Sequence, residues 1–149
     1  MKFPFLNFFK LASGVVTTAR AVSVAAFSAT TGAFTGAVSM LNSDVTVEAH
    51  GSVASGTETL ARADGEVHTV TAGGDFTVAF SGWPASGKEG AVTLKLTNGG
   101  AHTITWPGAV DWPGGVAPSL TAAGRDTLIF ASGDGGTTID GYLAGVDLS

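Results

Sequence analysis

Apolar and polar side chains alternate with a period of two in several short stretches of the second half of the chain. The clearest runs are Phe76-Val78-Phe80, with Thr77 and Ala79 between them, and Val92-Leu94-Leu96. This period is typical of β-strands with one buried face. Turn residues separate the runs at intervals of roughly 10 residues, which favours many short strands. The sequence therefore predicts an all-β fold: an antiparallel, jelly-roll-like β-sandwich over residues 62–149, with residues 44–61 as a connector or an edge strand.

Two glycine-rich turns predict which of these strands pair. Asn98-Gly99-Gly100 can supply the positive φ angles of a tight hairpin, so the Val92 strand is expected to pair with the run Thr103–Trp106. Gly133-Asp134-Gly135-Gly136 is expected to turn the Leu128 strand into a strand that begins at Thr138. Both turns indicate antiparallel neighbours.

Charge divides the chain into two parts. All 12 acidic residues lie at or beyond Asp44, and residues 1–43 carry only Lys2, Lys10 and Arg20, so the first part has a charge of +3 and the remainder of −8. An acidic domain argues against nucleic-acid binding, because phosphates are neutralised by basic surfaces. The absence of cysteine excludes disulfides and thiolate metal sites.

Residues 1–43 are predicted to be an apolar attachment segment, extended or partly helical. The large apolar side chains that would anchor it are phenylalanines, namely Phe3, Phe5, Phe8, Phe9, Phe27 and Phe34. Residues 21–43 carry no charge and are long enough to span a bilayer. Their Ala, Gly, Ser and Thr content makes membrane insertion marginal, however, so docking on a partner protein is the favoured interpretation and a membrane anchor the alternative.

Three Trp-Pro pairs are candidates for surface recognition. Trp83, Trp106 and Trp112 could form an aromatic platform for a glycan, which would require at least one exposed ring. The simpler interpretation is that each pair ends a strand, since proline cannot continue the hydrogen-bond ladder. Packing in the core or in an interface is the more common role of such rings.

No motif in the sequence indicates catalysis or a cofactor. His50, His68 and His102 lie on different predicted strands without the spacing of metal ligands, so each is expected to be solvated or singly hydrogen-bonded. Asp134 and Asp140 flank a turn and lack the dense oxygen donors of a calcium loop. Neither a nucleophile elbow nor a phosphate-binding loop is present. The sequence predicts a non-enzymatic protein without metal or cofactor.

An ordered series of short motifs in residues 66–149 resembles the β-domain found at the C-terminus of tailed-bacteriophage virion proteins, especially tail-fibre-like ones. The matching motifs are Thr103-Ile104-Thr105-Trp106-Pro107, Trp112-Pro113-Gly114-Gly115, Pro118-Ser119-Leu120-Thr121, Asp126-Thr127-Leu128 and Gly135-Gly136-Thr137-Thr138, with Gly141 and Ala144-Gly145. The chain departs from the pattern by having Ile139-Asp140 after the threonine pair and by lacking a long shaft.

The resemblance implies a structural protein of the virion, either a capsid decoration or cement protein or a short tail fibre. Its partners would be other capsid or tail proteins, bound through residues 1–43. Self-association would protect the sheet edges, and a homotrimer is the expected form. A host-surface glycan is a candidate partner, and a glycan-recognition module is the other alternative function.

Overall fold

A computed structural model describes residues 44–148, and these residues form nine strands and two short 3-10 turns. The strands are β1 (Val47–Val53), β2 (Thr57–Ala61), β3 (Val67–Ala72), β4 (Phe76–Ser81), β5 (Gly90–Thr97), β6 (Ile104–Thr105), β7 (Val110–Asp111), β8 (Arg125–Ser132) and β9 (Ile139–Leu148). The turns span Gly99–Ala101 and Pro113–Gly115. The prediction of an all-β fold is confirmed.

The strands form two sheets. The larger sheet has six strands in the order β1-β3-β5-β8-β9-β7, and the smaller has three in the order β2-β4-β6. From β1 to β6 the chain alternates between the sheets, so each pair β1–β2, β3–β4 and β5–β6 forms one coil stacked on the next. The step from the first coil to the second begins in the same way in both sheets. Val47 pairs with Val67 and Thr57 pairs with Thr77, and the two residues of each pair are the same distance apart in the sequence.

One hydrophobic core joins the two sheets. The smaller sheet contributes Leu60, Phe76 and Val78, and the inward faces of β5 and β8 contribute the most deeply buried side chains of the larger sheet. Val92, Leu94 and Leu96 are 0% exposed, as the period-two pattern predicts for the inward face of β5. Burial of these side chains is the main driving force for bringing the two sheets together.

The strand pairing differs from the predicted antiparallel arrangement. Of the seven strand pairs among residues 44–148, only β5–β8 and β8–β9 are antiparallel, and the other five are parallel. The expected hairpin after Asn98 does not form. Asn98 does adopt a left-handed conformation (φ 60°), but the chain then crosses to the smaller sheet, where β6 pairs in parallel with β4. The turn at Gly133–Gly136 does join two antiparallel strands, β8 and β9, as predicted.

Residues 44–61 contain β1 and β2, which are the edge strands of the larger and the smaller sheet, respectively. Val53 of β1 and Leu60 of β2 are buried in the core. The predicted attachment segment, including Phe3, Phe5, Phe8, Phe9, Phe27 and Phe34, lies outside the described residues. No helix within residues 44–148 is long and apolar enough to cross a membrane, and the alternative membrane span at residues 21–43 also lies outside the described part of the chain.

Candidate functional site

An aromatic cluster surrounds Phe130, which lies on β8 and is 0% exposed. The centroid of its ring is 4.7 Å from that of Phe80, 5.5 Å from that of Trp106 and 5.7 Å from that of Trp112. Rings at these distances and tilts interact favourably beyond the area they bury. The cluster therefore joins β4 of the smaller sheet to β8 of the larger one.

All three tryptophans singled out in the sequence belong to this cluster. Trp106 and Trp112 meet edge to face, with ring centroids 5.3 Å apart, and Trp83 packs against Phe80 at 5.8 Å. Each tryptophan is partly buried and packs against the core. Trp106 follows β6 and Trp112 follows β7, so these two Trp-Pro pairs stand at strand ends. The three rings are therefore structural side chains of which only a part reaches solvent.

Two glycines make room for the tryptophans. A Cβ atom on Gly136 would collide with the indole ring of Trp83, and Gly136 has a φ of +87°, which favours glycine. A Cβ atom on Gly141 would come within 2.9 Å of the ring of Trp112. The indole nitrogen of Trp83 is buried and has no hydrogen-bond partner among the described residues. The glycine-rich motifs after β8 thus serve the packing of the cluster.

Three polar side chains, those of Glu58, His50 and His68, form a hydrogen-bonded row at the β1–β2 end of the core. Nδ1 of His50 is 2.5 Å from Oε1 of Glu58, and Nε2 of His50 is 2.8 Å from Nδ1 of His68. His50 lies where the register between β1 and β3 shifts, and this β-bulge directs its ring inward. This hydrogen-bonded row links the two sheets, since Glu58 belongs to β2 of the smaller sheet and His68 to β3 of the larger one.

His68 is the innermost side chain of this hydrogen-bonded row and is 0% exposed. Burial lowers the pKa of His68, and the neighbouring His50 lowers it further. Nε2 of His68 is buried without a hydrogen-bond partner among the described residues. A neutral His68 shares one proton with His50 along the 2.8 Å contact, so the pair is suited to a structural role at neutral pH.

The lowered pKa of His68 predicts that acid destabilises the domain. The unfolded chain takes up a proton near pH 6.5 whereas folded His68 resists it, so this contribution to stability is complete above pH 6.5 and is lost as the pH falls below that value. Urea unfolding at pH values from about 7.5 to 5 measures this dependence. We expect His68→Leu to weaken it and His102→Gln, which alters a partly exposed histidine, to preserve it. An equal pH dependence in all three proteins would contradict the assignment.

Two carboxylates accept hydrogen bonds from neighbouring backbone and hydroxyl groups, Asp126 on β8 and Asp134 in the turn that follows β8. Asp126 is 0% exposed and accepts hydrogen bonds from the N–H of Thr121 (2.6 Å), the hydroxyl of Thr121 (2.7 Å) and the N–H of Asp147 (3.0 Å). Burial opposes ionisation, but these three bonds together lower the pKa of Asp126. Asp134 accepts bonds from the N–H of Thr138 (3.0 Å) and the hydroxyl of Ser132 (2.9 Å), and the bond from Thr138 is the main reason for its lowered pKa.

His50 and His68, which were predicted to lie on different strands without a shared site, are in contact in the structure. The expectation that each histidine is solvated or singly hydrogen-bonded is wrong for His50, which contacts both Glu58 and His68. The buried His68 bonds to His50 through Nδ1, and its Nε2 has no partner among residues 44–148. His102 lies apart, 4.0 Å from the exposed Asp75. Among residues 44–148, no group of three or more His, Asp or Glu side chains has the arrangement of a metal site.

No protein-family model, curated protein or solved structure matches this chain.

Proposed function

We propose that this chain is a non-enzymatic structural protein of a bacteriophage virion, a small decoration or cement protein or a short fibre. Residues 1–43 attach it to the head or the tail, and the β-domain projects from that site. The motifs that resemble tail-fibre-like virion proteins support this proposal, and two of them contain Trp106 and Trp112, which pack on Phe130. In this proposal the role of the β-domain is to present its outer surface. Its aromatic groups and its carboxylates stabilise the loops of the domain.

The observation that carries the proposal is the order of the strands in the larger sheet. The described chain begins at Asp44 and leads directly into β1, which forms one edge, whereas β7 forms the opposite edge. Five strand spacings of about 4.8 Å separate these edges, so they lie about 24 Å apart. The described chain therefore enters the larger sheet at one edge, and Trp112 follows the strand at the opposite edge.

The outer face of the larger sheet supports self-association. Ile129 and Tyr142 are paired across β8 and β9, and they are 36% and 48% exposed. Val146 and Leu148, further along β9, are also exposed, at 55% and 41%. Apolar side chains on an open sheet face favour contact with another copy of the chain, and the homotrimer remains our proposal for its form. Recognition of a host-surface glycan through Trp83, Trp106 and Trp112 remains a hypothesis limited to the parts of the rings that reach solvent.

Incorporation into particles tests the attachment role. We expect a full-length variant with Phe3, Phe5, Phe8 and Phe9 all replaced by serine to be present in purified particles at less than about a tenth of the normal copy number. The reason is that each buried phenylalanine contributes roughly 1.5–3 kcal/mol. Quantitative mass spectrometry of the particles gives the copy number.

The control is Val116→Ser, which changes an apolar side chain that is 73% exposed in the β-domain and leaves residues 1–43 intact. This variant should be incorporated normally. Normal incorporation of the variant with four phenylalanines replaced would disprove attachment through these side chains. Finding the unaltered protein outside particles, in the membrane fraction of infected cells, would instead favour the membrane-anchored display protein.

A further inference from the structure

Two basic residues line one pocket on the outer face of the larger sheet. Lys95 lies on β5 and Arg125 on β8, and both contribute to the lining of a depression of about 270 Å³. Lys95 pairs with Thr127 and Thr97 pairs with Arg125, so the two cations occupy diagonal positions on neighbouring strands. Long side chains at such positions are within reach of each other, and therefore of a common ligand.

The pocket forms because the side chains become shorter across the sheet. β1 contributes Ala49 and Gly51 to the lining, at the point where its register with β3 shifts. A Cβ atom on Gly51 would meet nothing within 4 Å, so the space beside this residue is open. The long side chains of Lys95 and Arg125 lie on the other side of β3, which forms the floor of the pocket.

Neither cation has a counter-ion in the described part of the protein. Among residues 44–148, neither Lys95 nor Arg125 forms an ion pair with a carboxylate. Of the seven basic residues of the chain, four lie beyond residue 43, together with all 12 acidic ones, and two of those four line this pocket. Neighbouring positive charges repel each other, and an anion bound between them would replace this repulsion by attraction.

Threonine hydroxyls complete the lining. Thr69 and Thr71 on β3 and Thr97 on β5 all border the pocket. The hydroxyl of Thr69 donates to the carbonyl of Glu48 at 3.5 Å, whereas the hydroxyls of Thr71 and Thr97 form no hydrogen bond within residues 44–148. A threonine hydroxyl both donates and accepts, so these two groups suit the hydroxyl groups of a ligand.

We propose that this pocket binds a small hydroxylated oxyanion, such as a sugar phosphate or a sugar acid. Arg125 offers the oxyanion a planar fork of donors and Lys95 a point charge, while Thr71 and Thr97 bind hydroxyl groups of the same molecule. The volume lies just below the range of pockets for drug-sized ligands, which suits one monosaccharide unit. A nucleic acid fits poorly, because a polyanion would also meet the excess of acidic residues. This inference involves none of the three tryptophans and does not depend on the virion assignment.

Nuclear magnetic resonance titration of the full-length protein with four probes tests the proposal. The probes are glucose 6-phosphate, glucuronate, glucose and inorganic phosphate. We expect at least one of the two acidic sugars to cause saturable shifts at Thr71, Thr97 and Arg125, and glucose, which has no oxyanion, to cause none. Inorganic phosphate should bind at least about tenfold more weakly than the tighter acidic sugar, because it lacks the bonds to the threonines. Binding of neither acidic sugar, or equally tight binding of glucose or of inorganic phosphate, would overturn the proposal.

Charge-matched variants separate the pocket from the overall charge of the protein. Arg125→Gln and Lys95→Gln should each weaken the binding of the acidic sugar at least about tenfold, because each removes a charge-assisted contact. Lys88→Gln removes the same charge from an exposed position outside the pocket and should bind as the native protein does. Thr71→Val should weaken the binding of the acidic sugar and leave that of inorganic phosphate unchanged. Circular dichroism checks that each variant is folded. Equal affinities in folded Arg125→Gln, Lys95→Gln and Lys88→Gln would overturn the assignment of the pocket.

Discussion

Phe130→Ala is expected to lower the free energy of unfolding by about 3–5 kcal/mol, the usual cost of removing a buried phenylalanine side chain. Phe130 is 0% exposed and is the common contact of Phe80, Trp106 and Trp112. Its removal leaves a cavity where the two sheets meet. Urea unfolding measures the loss, and the tryptophan emission of the folded variant should shift to longer wavelength because Trp106 and Trp112 lose their inner contact.

An exposed apolar residue outside the cluster provides the control for Phe130. Val116 is 73% exposed. Val116→Ala should cost less than about 1 kcal/mol, because this side chain leaves little cavity and is largely hydrated in the folded state. A loss of less than about 1 kcal/mol for Phe130→Ala, or similar losses for the two variants, would show that the aromatic cluster does not hold the sheets together.

Asp126→Ala is expected to lower the free energy of unfolding by about 3 kcal/mol or more. The substitution removes the acceptor of three hydrogen bonds, and bonds to a charged group contribute roughly 1.5–3 kcal/mol each without adding fully. The two N–H groups that it leaves without an acceptor belong to Thr121, in the loop before β8, and to Asp147, near the end of β9. Amide hydrogen exchange at these two residues should therefore rise together, in addition to the loss measured by urea unfolding.

The pH dependence gives a second measurement on Asp126. Because its pKa is lowered in the folded protein, its contribution to stability is present above pH 3.8 and is lost as the pH falls through the lower, folded value. Asp126→Asn should reduce this acid sensitivity, whereas Asp140→Asn, at an exposed position of β9, should change stability by less than about 0.5 kcal/mol. An Asp126→Asn variant that is as stable and as acid-sensitive as the native protein would contradict the role assigned to this carboxylate.

The local period of two predicted the inward faces of several strands correctly. Phe76 and Val78 on β4, and Leu94 on β5, are buried as the alternation requires. This success has a simple cause, since successive side chains of a strand point to opposite faces whatever the neighbouring strand is. The pattern determines the orientation of each strand and leaves its partner undetermined.

Partner strands were predicted correctly where the turn between them was short and incorrectly elsewhere. The turn at Gly133–Gly136 is closed by the bonds of Asp134 and Ser132, and it joins β8 to β9. Asn98 offers a similar local signal, but there the chain passes to the other sheet. A left-handed residue permits either path. The burial of Ile104 against the core, which involves residues distant in sequence, favours the observed one.

The aromatic cluster and the histidine pair differ in how far the sequence could reveal them. Trp-Pro pairs carry a local signal for the end of a strand, and Trp106 and Trp112 follow β6 and β7. His50 and His68 meet only because β1 and β3 are parallel and because a bulge at Ala49–Gly51 shifts their register. Neither the direction of pairing nor the bulge has a signature at these positions, so the contact could not be inferred from spacing.

The alternation of the chain between two sheets also bears on the kinetics of folding. Paired residues on stacked coils, such as Val47 and Val67, are separated by a whole coil of chain, whereas β8 and β9 are joined by a short turn. A high mean sequence separation between contacting residues slows folding, because long loops must close before their contacts form. During synthesis, β5 emerges before its antiparallel partner β8, so this hydrogen-bonding edge of β5 stays unpaired until β8 has left the ribosome.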